Sequence, residues 1–115
     1  MTAPRELRAR PLVILESPYA GDVSRNLAFA RACLHDSLSR GEAPLASHLL
    51  YTQVLRDEEF AERRLGIQAG HAWIARADLV AVYTDLGVTT GMLEALNRAS
   101  ALRVPIEYRV LGWTE

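Results

Sequence analysis

The stretch Pro11-Leu12-Val13-Ile14-Leu15-Glu16-Ser17-Pro18-Tyr19-Ala20-Gly21-Asp22 decides the fold. Leu12 to Leu15 are consecutive apolar residues, the habit of a strand buried on both faces and hence of a parallel sheet. The run breaks into the turn-forming Ser17, Pro18, Ala20 and Gly21. Asp22 then offers a helix N-cap to a segment with apolar side chains at Val23, Leu27, Ala30, Leu34 and Leu38. Strand, tight loop and helix N-terminus together aim free backbone N–H groups at one spot, at the carboxyl end of a central strand. Open α/β sheets bind their ligands there.

Working outward, the first helix should run from about Asp22 to Arg40, with Gly41 as its left-handed C-terminal cap. A short second strand is expected in Glu42–Ser47. The stretch His48 to Arg56 is too interrupted for a core strand and too apolar for a free loop, so it reads as a pocket-lining loop or an interface. Asp57 is the expected N-cap of the next helix, with Glu58 and Glu59 in its first turn and Ala77 near its end. Phe60, Leu65, Ala69 and Trp73 form its apolar face, while Gly66 and Gly70 permit close approach of another backbone. Leu79 to Tyr83 is the second buried strand. It leads through Thr84–Gly91 into a helix carrying Met92, Leu93, Leu96 and Ala99, which stops before Val104-Pro105. Ile106 to Val110 alternates with period two, as an edge strand wet on one face does.

This alternation predicts a three-layer α/β fold of Rossmann-like or flavodoxin-like kind. A mostly parallel four-stranded sheet of order 2-1-3-4 would carry helices on both faces, with residues 1–10 as a flexible lead-in and 11–115 as a single domain. The two buried strands then lie side by side, and their C-terminal loops share one crevice. A net charge of −1 from 13 Arg against 14 acidic residues argues against a nucleic-acid partner. The single Cys33 rules out an internal disulfide and is read as a small packed residue. No apolar run is long enough to span a membrane, and a cytoplasmic location is the expectation.

Two clusters carry chemical meaning. The first gathers Ser17, Pro18, Tyr19, Gly21, Asp22 and Asn26. On one reading Asp22 is a helix cap and Tyr19 a core cover; on the other Tyr19 stacks on a ring while the loop amides and Asn26 hold a ribose or phosphate. The second gathers Asp85, Thr89, Thr90, Gly91, Met92 and Glu94, either a capped helix start or a catalytic carboxylate pair. His48, with Tyr51 and Gln53 after it, suits a polar pocket contact. His35 and His71 lack partners at metal-ligand spacing, and the chain has neither a G-x-G-x-x-G fingerprint nor any Lys for a Walker loop, so no metal and no cofactor are expected.

The strand ending in Ser17–Gly21, the strand Ala77–Asp85 and the helix start Gly91-Met92-Leu93-Glu94 together resemble the nucleoside 2-deoxyribosyltransferase-like proteins. The stretches SPYAGD and SHLLYTQ look, more narrowly, like a small branch found in bacteria and their phages. The resemblance spans nearly the whole chain. In that family the loop after the first strand contacts nucleoside, and a Glu in an Asp-x-Gly-Thr-x-x-Glu pattern attacks the anomeric carbon. The resemblance thus implies Glu94 as nucleophile, Gly91 near the Gly-Thr step and Tyr19 against the nucleoside. The Asp expected six residues before the Glu is Val88 here, and the Gly-Thr order is reversed as Thr90-Gly91, which leaves Asp85 as proton donor to a departing base. The implied chemistry is cleavage or transfer at an N-glycosidic bond through a glycosyl-enzyme. The competing reading is a non-catalytic sensor or sequestering protein, phage-encoded, for a nucleotide-derived signal. Either way the expected partner is a nucleoside or nucleotide derivative, not nucleic acid or a membrane. The family's habit of completing pockets with a neighbouring subunit implies a homo-oligomer, with His48–Gln53 near the interface.

Overall fold

In the computed structural model, which describes residues 10–115, four parallel strands form one sheet of order β2-β1-β3-β4. The strands are β1 (Leu12–Glu16), β2 (Ala43–Leu45), β3 (Leu79–Tyr83) and β4 (Ile106–Arg109). The helices are α1 (Val23–Ser39), the single turn α2 (Ser47–Leu50), α3 (Phe60–Ile74) and α4 (Thr90–Ala101), with a 3-10 turn at Tyr51–Gln53 continuing α2. The sheet order is the one the sequence predicts. The lead-in expected at the N-terminus lies outside the described residues, apart from Arg10.

Strand parity divides the core in two. Val13, Leu15, Ala81 and Tyr83 face Phe29 and Cys33 of α1, whereas Ile14, Val80 and Val82 face Ile74 of α3 and Met92, Ala95, Leu96 and Ala99 of α4. Both faces of β1 and β3 are therefore covered along their middle; Leu12 is half exposed where β1 begins and Glu16 is partly exposed where it ends. The Cys33 thiol is fully buried, and burial pushes its pKa up to about 12, so it packs as a small apolar group.

Local signals at the helix ends behave as their chemistry dictates. Asp22 Oδ1 accepts from the Arg25 N–H, Thr89 Oγ1 accepts from the Met92 N–H, and Gly41 takes the left-handed conformation after α1. The second strand is shorter than expected, and the residues from His48 onward coil into α2 and the 3-10 turn instead of forming a loop. Asp57 does not cap α3: the helix begins at Phe60 with Glu59 at the N-cap position, placing Glu58 and Glu59 before the first turn.

The apolar faces of α1 and α3 are both rotated from the sequence expectation. In α1 the inward line is Asn26, Phe29, Ala30, Cys33 and Ser37, and Val23 and Leu38 are exposed. In α3, Phe60, Leu65 and Trp73 face outward, and Gly70 and Ile74 are buried. For α3 the reason is close contact with α2 and the turn after it. A Cβ on Gly70 would lie 2.6 Å from Ser47 Oγ, and one on Gly66 would lie 3.2 Å from Leu55 Cδ1. Only the glycine edge lets α3 approach so closely.

β4 departs from the simple alternation as well. Its expected wet face holds Arg109, which is 5% exposed, while Tyr108 on the other face is 63% exposed. The Arg109 guanidinium donates to both Glu42 carboxylate oxygens, at 2.8 and 2.6 Å, and to the Tyr83 hydroxyl at 3.0 Å. Ser37 Oγ donates to Glu42, and the Tyr83 hydroxyl donates to Asp36. This network ties the start of β2, the end of α1 and the edge strand across one face of the sheet. Hydrogen bonding from Arg109 holds the Glu42 carboxyl below its ordinary pKa, against the opposing effect of burial. Glu42→Ala leaves the buried guanidinium with only the half-exposed Glu107 carboxylate opposite it, at 3.3 Å, and is expected to destabilise the fold by roughly 3 kcal/mol in a denaturant titration at neutral pH.

Candidate functional site

At the carboxyl edge of β1 and β3, on the face covered by α3 and α4, lies a cavity of about 330 Å³. Four elements build it. The loop after β1 brings Ser17 and Tyr19. α2 and the turn after it bring Ser47, His48, Tyr51 and Leu55, α3 brings Glu62, Arg63, Gly66, Ile67 and His71, and the start of α4 brings Thr89, Thr90, Gly91 and Met92.

Ser17, Tyr19, His48, Tyr51, Thr89, Thr90, Gly91 and Met92 are thus brought together, as the sequence reading expects of them. The remaining candidate residues lie elsewhere, each for a local reason. Asn26 is buried beneath the loop and donates from Nδ2 to the Tyr19 and Ala20 carbonyls, at 2.9 and 3.0 Å. It shapes the loop from below. Pro18 and Gly21 bend the same loop without lining the cavity, Asp22 is occupied as a cap, and Gln53 donates back to the Leu49 carbonyl.

Asp85 leaves β3 and turns to the C-terminal tail, where its carboxylate accepts from the N–H groups of Leu111, Gly112 and Trp113 at 2.9, 2.7 and 3.0 Å. Burial works to raise its pKa, but those three donors outweigh it and hold the carboxyl below the ordinary value. An ionised, fully engaged carboxylate has no proton to give. Instead it straps the tail over the sheet, where Trp113 packs on Phe29 with ring centroids 5.3 Å apart. Glu94 is exposed on α4, one turn beyond Thr90, and does not line the cavity; its charge acts on His71.

The sequence reading passed over Glu16. Its side chain leaves β1 on the same face as Ile14 and enters the cavity, where burial pushes its pKa to about 8. It holds its proton at neutral pH. Beside it, Ser17 Oγ and His48 Nε2 share a hydrogen bond of 2.7 Å, and burial drives the His48 pKa down to about 4, so the ring is neutral. Burial also lowers His71, with the Arg98 charge acting in the same direction and Glu94 against it. Tyr51 is anchored by the Trp73 indole N–H, which donates to its hydroxyl at 2.8 Å, and Glu62 accepts from the Arg56 N–H. The cavity floor is therefore polar yet uncharged. Strand parity was the available signal for Glu16, since it is two residues beyond Ile14. Among the described residues no group of three His, Cys, Asp or Glu side chains is placed to hold a metal ion, and no helix is long and apolar enough to cross a membrane.

The two shifted groups act on stability with opposite sign over pH ranges that overlap between 4.5 and 6.5. Glu16 keeps its proton to about pH 8 when folded but releases it near 4.5 when unfolded, so stability falls as pH rises between those values. His48 is neutral down to about pH 4 when folded and protonates near 6.5 when unfolded, so its contribution is lost as pH falls below 6.5. Between 6.5 and 8 Glu16 acts without His48. Glu16→Gln is expected to flatten the decline in melting temperature across that interval and to steepen the loss on acidification between 6.5 and 4.5, where the two groups otherwise offset each other, as a series of thermal scans would show.

A 2-deoxyribosyltransferase from the psychrotolerant bacterium Bacillus psychrosaccharolyticus shares the architecture: its structure matches with a TM-score of 0.64 over 90% of this chain and 76% of that one, at 18% identity. At that identity the likeness is one of fold. No curated protein matches the chain. A family model described as a domain of unknown function, DUF7768, covers residues 11–109 from the first strand to the end of the last, and the chain belongs to that family.

Proposed function

We propose that this protein binds a nucleoside or nucleotide derivative in the cavity at the carboxyl edge of β1 and β3, and that it holds the ligand without cleaving it. The cavity itself supports the binding role. Its volume of about 330 Å³ lies within the roughly 300–1,000 Å³ range of small-molecule sites. Tyr19 and Tyr51 offer ring faces for a base, while Ser17, Thr89 and Thr90 offer hydroxyls for a sugar. The shared architecture with a 2-deoxyribosyltransferase adds to the same reading.

The non-catalytic role rests on the two carboxylates that N-glycosidic chemistry would use. Asp85 is engaged by three backbone donors, and Glu94 is exposed outside the cavity. A nucleophile must reach the anomeric carbon and an acid must carry a proton. Neither residue is so placed. Saturable calorimetric binding of a deoxynucleoside or its monophosphate is therefore expected, with no free base released on prolonged incubation. Tyr19→Ala should weaken binding about tenfold, in keeping with the roughly 1–3 kcal/mol of base–aromatic stacking. Base release that disappears in Glu94→Gln would overturn the non-catalytic reading and restore Glu94 as nucleophile.

We also propose a homo-oligomer whose interface lies beside the cavity. Leu50, Val54, Phe60, Leu65 and Trp73 are each about half exposed or more, on α2, the turn after it and α3, the elements that wall the site. Apolar groups gathered there suit contact between copies. Light scattering should give a dimer or larger species, and Phe60→Asp combined with Leu65→Asp should shift it to the monomer.

A further inference from the structure

The cavity holds one pair of side chains in the relation that nucleophilic catalysis requires. Ser17 follows β1 and His48 lies in α2, 31 residues apart in the chain, yet Ser17 Oγ is 2.7 Å from His48 Nε2. Both residues line the cavity. A hydroxyl becomes a useful nucleophile when a base within roughly 2.6–3.2 Å can take its proton, and this contact falls inside that range.

The direction of the hydrogen bond follows from its surroundings. Ser17 Oγ makes no other hydrogen bond among the described residues, so if Nε2 were the donor the hydroxyl proton would have no acceptor. The serine therefore donates, and Nε2 is the unprotonated nitrogen. Burial favours the neutral ring, which leaves that nitrogen ready to receive a proton. Among the described residues no carboxylate engages Nδ1, so the pair is a dyad and not a triad.

The start of α4 supplies what a dyad needs besides its two members. Thr90 and Gly91 occupy the first two helical positions, where backbone N–H groups have no acceptor of their own, and both residues line the cavity. Such donors suit the oxyanion that forms when a carbonyl is attacked, and the oxyanion in turn offsets the charge of the imidazolium beside it. Leu55, Ile67 and Met92 add apolar surface for an acyl chain, and a volume of about 330 Å³ restricts that chain to a short one.

We propose that Ser17 and His48 form an acyl-transfer dyad that hydrolyses short-chain carboxylic esters. Ser17 Oγ bonds to the carbonyl carbon as its proton passes to His48 Nε2. The tetrahedral adduct then expels the alcohol, which takes that proton and leaves an acyl group on Ser17. Water attacks the same carbon while giving a proton to Nε2; the bond to Ser17 breaks, its oxygen recovers the proton, and the carboxylic acid departs. A dyad without a carboxylate behind the imidazole is slower than a triad by up to about 10⁴-fold, which esters tolerate and amides do not. The activity goes beyond the nucleoside reading and does not rest on it. Its reacting atom is a carbonyl carbon, and no carboxylate nucleophile takes part.

The test treats the full chain with a fluorophosphonate probe, locates the adduct by mass spectrometry, and follows hydrolysis of p-nitrophenyl acetate and butyrate in parallel. The adduct should sit on Ser17. Ser17→Ala should abolish both labelling and ester hydrolysis, and His48→Gln should slow both by about a hundredfold. Thermal scans of the two variants separate lost chemistry from lost folding, and the labelled residue in the unaltered protein is read without any variant. Absence of an adduct on Ser17 overturns the dyad. So does ester hydrolysis undiminished in folded Ser17→Ala, or labelling undiminished in folded His48→Gln. Each of these outcomes leaves the nucleoside reading standing.

Discussion

The structure depends on one pairing. β1 lies parallel to β3 in the middle of the sheet, Val13 opposite Leu79 and Glu16 opposite Val82, with both faces of the pair covered. Side chains alternate along a strand, so the pairing sorts residues into two layers that cannot exchange. Odd positions in β1 meet α1 and even positions meet α3 and α4. Ile14 supplies core packing on the second side, and two residues later Glu16 extends the same row past the edge of the core and into the cavity. The placement of the proton-bearing carboxyl is thus a consequence of sheet parity.

The cavity owes its form to a second constraint, the narrow contact between α2 and α3. With no Cβ at Gly66 or Gly70, α3 sits against Ser47 and Leu55, and α2 is drawn over the end of β1. His48 is then held against Ser17 in an environment that disfavours its charged form. The result is a floor on which Glu16 and His48 are neutral, with the ionic side chains Asp57, Glu62 and Arg63 supplied by α3 and the segment before it. In such surroundings hydrogen bonds to a ligand are strong and an unmatched one is costly, the condition under which a small pocket discriminates.

Polar residues elsewhere show how one chemical type is put to opposite uses. Asp85 and Glu16 are both carboxyls at or just beyond the ends of neighbouring central strands. Three amides from the tail surround Asp85 and keep it ionised; burial with no compensating donor keeps Glu16 neutral. Arg109 is buried because Glu42, Tyr83 and Asp36 already form an acceptor-rich network beneath α1. Had the edge strand carried an apolar residue there, Glu42 would have been the unpaired charge.

From the sequence alone the strand order, the helix cap at Asp22, a threonine cap at Thr89 or Thr90, the cap at Gly41 and the crevice between two central loops were all legible, because each follows from local periodicity or turn chemistry within a few residues. The helix faces were not, since a run such as Phe60, Leu65 and Trp73 states a spacing without saying which side meets the sheet, and two glycines outweighed it. Nor were the roles of Asp85, Arg109 and Glu16. Partners more than twenty residues away set the charge of Asp85 and bury Arg109, and the environment of Glu16 is assembled from helices that only the folded chain brings together. Protonation state is a property of surroundings, and surroundings are tertiary.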